Sequence, residues 1–486
     1  MASTGTNTRK GVRLMKASLS IALGGLAALV PQGCSIDDIL EVNDPDIVIE
    51  IPQTPGAAIA LMNGTFRRLA ESVTGTQGPD GFFMYAGLLA DEWRSGDTFV
   101  QRNNQDQRIF EPANTFNQGA YRNINRVRVQ ATITIDALRR LVPSPQSNVG
   151  LMFTTIAYVE ALIAEHYCNG TPLSEPDPVT PGAIIYGEPL TNDSVFGLAI
   201  AHADSALANR AGSADSNDVE WFASIVKARA QVARGQYAAS AATIAAAGIP
   251  DNFKFLVTHS LNVNDNQIWG LNNNARRYTL VNREGVVGLD FVAGDPRLPT
   301  RTGGSGTSGR IFDTSNPIPV IRQGIYGRTS GVPIASGIEA RVIEAEERLQ
   351  AADFTAWLSI INALRTNASL YPPRLLPAET EPSPPAYVPA AGTVLPALAQ
   401  PANDSLRIYT HFRERALWLF STGHRLGDMR RLVRPLAQGG YGWVADGVFP
   451  TGPYFKGGSY STALQMSVPF QEQNNPRFVQ CLNLNP

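Results

Sequence analysis

The chain has 486 residues, 43% of them hydrophobic and 17% charged, with 40 basic residues set against 42 acidic ones. That length and apolar content suffice for a large core, while a slightly acidic balance without a basic stripe excludes a phosphate-backbone partner such as nucleic acid. The five histidines show no HExxH or similar ligand spacing, and no phosphate-cradling or dinucleotide glycine pattern occurs, so neither metal nor cofactor is expected.

The N-terminus carries a targeting pattern. Arg9, Lys10, Arg13 and Lys16 form a positive segment, an apolar run extends from Ala17 to Val30, and Pro31-Gln32-Gly33-Cys34 follows. The run is shorter than the roughly 20 residues that span a bilayer, and it matches the apolar region of a cleaved signal peptide. A small residue directly before a cysteine suits a lipoprotein signal peptidase, although Pro31 stands where such signals usually carry leucine. Residues 1–33 are therefore expected to be a signal peptide, with Cys34 as the lipidation site, and residues 34–55 an acidic tether. Removing the signal leaves 36 basic against 42 acidic residues, a formal charge of -6. Nothing after Cys34 reads as a transmembrane helix, so the attachment expected is lipid alone. With Cys34 acylated, Cys168 and Cys481 could pair in an oxidising compartment or stay as two buried thiols; two separate thiols is the simpler expectation.

Helical periodicity dominates the rest. Residues 56–72 predict a short Ala-rich helix and 117–141 a longer one. Over 149–167, Val149, Met152, Phe153, Ile156, Val159, Ile163 and Tyr167 step by threes and fours, the mark of a buried helix face. Helices over 193–209, 221–234 and 237–247 follow, and consecutive helix–turn–helix pairs of this size predict tetratricopeptide-like stacking. From 250 to 335, glycine, asparagine and arginine replace helical period, as expected of loops with short strands at most. Helices resume at 337–351 and 353–367, a proline-rich excursion covers 371–401, and a last helix pair lies in 405–434. The fold class expected is mostly α. Tetratricopeptide-like helix pairs, about 117–247 and 337–434, form a single scaffold within a domain spanning 56–486. Loop-rich regions lie at about 75–116, 250–335 and 435–486.

The stretch Arg413-Glu414-Arg415-Ala416-Leu417-Trp418-Leu419-Phe420-Ser421-Thr422-Gly423-His424-Arg425-Leu426-Gly427-Asp428-Met429-Arg430-Arg431 resembles the "ERRREFAFEGHRWFDLRR" helix of the SusD/RagB family, surface glycan-binding lipoproteins of nutrient-uptake systems. Tyr158–Leu173, Lys227–Tyr237, Asp295-Pro296-Arg297, Glu339–Glu346 and Ile361–Arg365 resemble further family segments, in the family's order. Leu426 replaces the family's aromatic after His-Arg, and of the usual C-terminal closure only Val468-Pro469-Phe470 stands. The resemblance implies a SusD-like fold at the bacterial outer membrane. It also implies a SusC-like TonB-dependent transporter as partner, and an oligosaccharide or other oligomeric nutrient as ligand, bound by loops in two regions and not transformed.

Sugar recognition needs aromatic ring faces for the C–H side and polar groups for the hydroxyls. One candidate cluster is Asp91–Asp97 with Arg102, Asn103 and Asn104; the other holds Trp269, Asn272, Asn273, Arg277, Tyr278 and Tyr326. Of these, Trp93, Arg102, Asn103, Asn104, Trp269, Tyr278 and Tyr326 are the expected ligand-binding residues, with Tyr441, Trp443, Tyr454 and Phe455 as weaker candidates. His424 and Asp428, four apart on a helix, resemble half a catalytic dyad, but no serine or cysteine nucleophile has a recognisable context, so a structural role is expected. A secreted hydrolase and a helical-repeat envelope adaptor without a small ligand are the competing readings.

Overall fold

The computed structural model describes residues 52–486 apart from 77–79, 178, 181–182, 212–215, 304–305 and 373–393. The signal peptide, Cys34, most of the tether and the centre of the proline-rich excursion lie outside the described residues. Those described belong to one compact unit.

Twelve α-helices occur among the described residues: α1 Pro55–Thr74, α2 Phe82–Leu89, α3 Val100–Asp106, α4 Thr115–Leu141, α5 Ser147–His166, α6 Asn192–Ala208, α7 Ser216–Ala233, α8 Tyr237–Ala247, α9 Gly337–Gln350, α10 Phe354–Thr366, α11 Asp404–Trp418 and α12 Arg425–Val433. Their starts follow capping chemistry. Thr54 accepts from the Ala57 amide ahead of Pro55, Asn114 from Phe116 and Asn117, and Ser336 from Glu339. The predicted helices all form, with ends within a few residues of expectation. Two helices were not expected. In α2, every residue from Phe82 to Leu89 is buried, so no polar face marks a period; α3 is short and largely polar.

Successive helices pack as antiparallel neighbours, α4 on α5, α5 on α6, α6 on α7 and α7 on α8, and α9 joins the stack against α8 and α10. Helix α5 alone is long and apolar enough among the described helices to cross a membrane, but 83% of its apolar window is buried, as befits a central core helix. The C-terminal half closes on the N-terminal half: α12 packs on α2 and α5. Between α11 and α12 the chain reverses at 419–424, with Gly423 at φ 77° and a Cβ there falling 2.7 Å from the Phe83 ring.

The tail, too, is tied to the scaffold. Cys168 and Cys481 form a disulfide, with Cα atoms 5.8 Å apart. The expectation of two separate thiols is corrected: the chain after α5 runs beside the tail, where Leu482 donates to the Asn169 carbonyl and Cys168 to that of Met466. Spacing cannot show this, because 313 residues separate the pair. Strands are short and arranged in two-stranded ladders, as expected for the loop-rich regions.

Candidate ligand face

The two loop regions singled out in the sequence are joined by backbone. Strand β1 Arg94–Ser95 pairs antiparallel with β2 Tyr278–Thr279, and the Gly96 amide donates to the Arg277 carbonyl at 2.9 Å. A third segment enters here, since Phe312 donates to the Arg276 carbonyl and Asp313 to that of Gly96. Only glycine fits at 96, where a Cβ would stand 2.7 Å from the Arg276 oxygen and 2.9 Å from the Ile311 Cβ. The C-terminal loop supplies the fourth side: Lys456 reaches Asn103 Oδ1 at 3.0 Å, Asp313 at 3.1 Å and the Asp97 carbonyl.

Beneath this junction lies a dense layer of paired charge. Arg102 spans Asp80 and Asp97, and Tyr278 donates to Asp80 at 2.5 Å. Arg94 donates to Glu284 at 2.8 Å, while Asp106 accepts from the Ser95 amide and the Tyr454 hydroxyl, both at 2.8 Å. Burial, reinforced by their mutual repulsion in the case of Asp106, raises both the Asp106 and Glu284 carboxyls above the usual range.

The outer layer differs. Phe99 is 46% and Phe312 37% exposed, and the Arg277 guanidinium lies between them, 3.9 Å from the Phe312 ring centre and 5.2 Å from that of Phe99. Its Nη1 donates to Asp97 at 2.5 Å. Arg94 sits 4.6 Å over Phe455, which is half-buried. Asn103 accepts from Ser95 Oγ at 2.7 Å, and Asn104 donates to Glu111 at 2.9 Å; both asparagines are half-buried. Aromatic faces beside fixed donors and acceptors are what a sugar ring requires, on loops held by a rigid scaffold.

The four predicted aromatic platforms are corrected to core side chains. Trp93 is 1% exposed, donates its indole N–H to Ser421 Oγ at 3.2 Å and packs on Tyr278 and Phe420. Tyr278 is fully buried, and Tyr326, 5% exposed, donates to the Phe420 carbonyl. Trp269 is also buried, with Arg328 over its ring. Arg102 is buried by its carboxylates. Of the seven expected residues, only Asn103 and Asn104 keep access to the face, and Asn103 alone meets Lys456 there. Tyr441 and Tyr454 are buried as well. The residues that sequence reasoning missed, Phe99, Phe312 and Lys456, are a phenylalanine just ahead of a polar helix, one bordering the turn-forming Asp313–Pro317 run, and a lysine among loop glycines. Aromatics beside turn signals were the available cue.

The long C-terminal motif serves another purpose. Glu414 accepts from Arg297 and, at 2.7 Å, from Arg365; Arg415 binds Asp428 at 2.9 and 3.1 Å; Arg431 joins Asp428 to Glu346. Arg425 clasps Asp91 at 2.6 and 2.8 Å. Burial alone would raise the Glu346 carboxyl, but Arg431, His411 and Arg415 hold it well below its ordinary value. His424 meets Glu339 at 2.9 Å and Thr422 at 2.8 Å, not Asp428. There is no dyad. Sequence segments that resemble the SusD/RagB family thus meet as partners in buried ion-pair clusters.

Solved structures share the fold over most of the chain. A SusD/RagB family protein from Bacteroides thetaiotaomicron is 14% identical, with 86% of this chain and 94% of that one aligned at a TM-score of 0.57. A SusD superfamily protein from Bacteroides fragilis is 13% identical over 88% of this chain and all of that one, again at 0.57. The chain has the SusD-like fold. A laminarin-binding SusD-like protein aligns over 89% of this chain at 11% identity and a TM-score of 0.52. No protein-family model and no curated protein matches the sequence. On this SusD-like scaffold the tetratricopeptide-like helix pairs form the rigid part, and the candidate face is built from the intervening loops.

Two clefts, of about 520 and 300 Å³, occur elsewhere on the SusD-like scaffold. The larger is lined by Phe66, Phe255 and His259 among others, the smaller by Tyr326 and Trp418 among others, and neither shares a residue with the exposed layer around Phe99 and Phe312. No group of three or more potential metal-ligating side chains is found among the described residues.

Proposed function

We propose that this protein is a non-catalytic, lipid-anchored surface protein that captures an oligosaccharide on the face around Phe99, Asn103, Arg277 and Phe312. It then hands the ligand to a SusC-like TonB-dependent transporter in the outer membrane. The observation that carries the reading is the junction of 94–104, 276–279 and 310–313, which sets exposed aromatic rings beside fixed polar groups on a SusD-like scaffold. The laminarin-binding neighbour supports a glycan as ligand. The Cys34 signal, together with the fold, supports the anchor and the transporter.

A glycosidase would need two carboxyl groups flanking a bound sugar. The carboxylates at this face are buried and engaged: Asp97 by Arg277, Asp313 by Lys456, Asp106 by Tyr454, and Glu284 by Tyr460 and Arg94. A substrate cannot approach them without unfolding the loops above. Binding without turnover follows. Calorimetric titration with laminari-oligosaccharide, oligogalacturonate and carrageenan oligosaccharide tests this, with mass spectrometry of the recovered sugar. Saturable binding of intact sugar that Phe312→Ala weakens is the expected result; shortened products would refute it. Co-purification of a large plug-containing barrel from membranes is expected for the full chain and lost in Cys34→Ser.

A further inference from the structure

The face has a polarity of charge that the whole chain lacks. Its carboxylates are directed inward: Asp97, Asp106 and Glu284 are fully buried and Asp313 nearly so. Three of its arginines, Arg276, Arg277 and Arg310, reach solvent. Arg277 keeps a quarter of its side chain exposed while bonded to Asp97, whereas Arg94 and Lys456, 16% and 8% exposed, lie over Phe455. Two more arginines have no carboxylate partner among the described residues. Arg276 Nη1 donates to the Thr307 and Arg310 carbonyl oxygens, leaving its other N–H groups uncommitted, and the Arg310 side chain is exposed.

Arg276 also sits at φ 59°, the left-handed region that glycine and asparagine favour. A side chain in that conformation carries a conformational cost that glycine would not. The cost falls at the residue whose carbonyl anchors the Phe312 amide and whose guanidinium is tied to the backbone of Thr307 and Arg310. In a chain with more acidic than basic residues, arginines gathered on one aromatic face select for negative charge.

We propose that the oligosaccharide this face takes is anionic, bearing carboxylate or sulfate groups that Arg276 and Arg310 bind while the sugar ring rests on Phe312. The inference rests on the glycan-binding reading above. Guanidinium groups bind carboxylate and sulfate oxygens through paired N–H donors, so the two substituents share one recognition chemistry. Such contacts weaken as salt screens them.

The test is calorimetric titration of oligogalacturonate, a carrageenan oligosaccharide and a neutral laminari-oligosaccharide of similar length, at low and high salt. The proteins are wild type, Arg276→Gly, Arg310→Gln and Phe312→Ala. At least one anionic sugar is expected to bind more tightly than the neutral one, and to weaken about tenfold in each arginine variant. Which anionic sugar binds distinguishes carboxylate from sulfate. Arg276→Gly removes the charge at a position where glycine is conformationally favoured, so its melting temperature should stay near wild type. If laminari-oligosaccharide binds as tightly as the anionic sugars, dependent on Phe312 but not on the arginines, the charge inference fails and the glycan-binding reading stands. If no sugar binds, the glycan-binding reading itself fails.

Discussion

The motif network around α11 and α12 and the ligand face around Phe312 are both rich in arginine, yet they use it in opposite ways. In the network, Arg297, Arg365, Arg415, Arg425 and Arg431 are each buried against a carboxylate drawn from a distant segment. Such pairs give little net stability over an apolar core, but removing one partner strands a charge. They therefore act as registration pins between the ends of the chain. At the face, the carboxylates are buried and the arginines and aromatic rings face solvent, so the same residue type is available to a ligand. Burial of the arginine separates the two roles, and residue composition does not show it.

The sharpest way to break the comparison is at Glu414, which holds Arg297 and Arg365 together. Glu414→Ala should destabilise the fold by about 5 kcal/mol, the upper part of the range for an orphaned buried charge, as read from denaturant unfolding. The equivalent change at the face, Arg310→Gln, should leave unfolding unchanged within about 0.5 kcal/mol.

Glu92 gives a pH signature of the buried region. It is fully enclosed, accepts one bond from the Ser421 amide, and burial pushes its carboxyl up to about 8. A folded-state value above the unfolded one means that its contribution to stability is fully present below about pH 4.5 and is lost as pH rises through 8. Across that window the loss is on the order of 4 kcal/mol, and Glu92→Gln should flatten it in pH-dependent melting curves.

Trp93→Ala comes next. It should cost about 3 kcal/mol of stability through the cavity it leaves, while the folded fraction binds sugar as wild type does. Phe312→Ala reverses both outcomes. Stability should change by less than about 0.5 kcal/mol, and binding should weaken by roughly 1–2 kcal/mol, the scale of removing an aromatic contact.

Most of the scaffold was legible because amphipathic helices in a layered stack show their buried stripe directly, as α4 does through Ala120, Ile124, Val127, Ala131 and Ile135. Helix α2 was not, because a segment buried on every side has no stripe. The candidate site was legible as two regions but not as residues. Asp91-Glu92-Trp93 resembles a polar–aromatic binding cluster in sequence. In the fold those side chains turn inward, Asp91 to Arg425, Glu92 to the Ser421 amide and Trp93 to the Ser421 hydroxyl. Their partners lie more than 300 residues away, and nothing local in the sequence records which way a side chain faces. Asn103 stays half-exposed on its short polar helix, where it meets Ser95 and Lys456.

The most direct test of the account is hydrogen-exchange mass spectrometry of the full chain with and without the oligosaccharide that titration shows to bind. The account predicts protection concentrated in 94–104, 276–279 and 307–313, reduced by Phe312→Ala at the same sugar concentration, with the sugar recovered intact. Protection confined to the 255–264 cleft, or recovery of cleaved sugar, would contradict it.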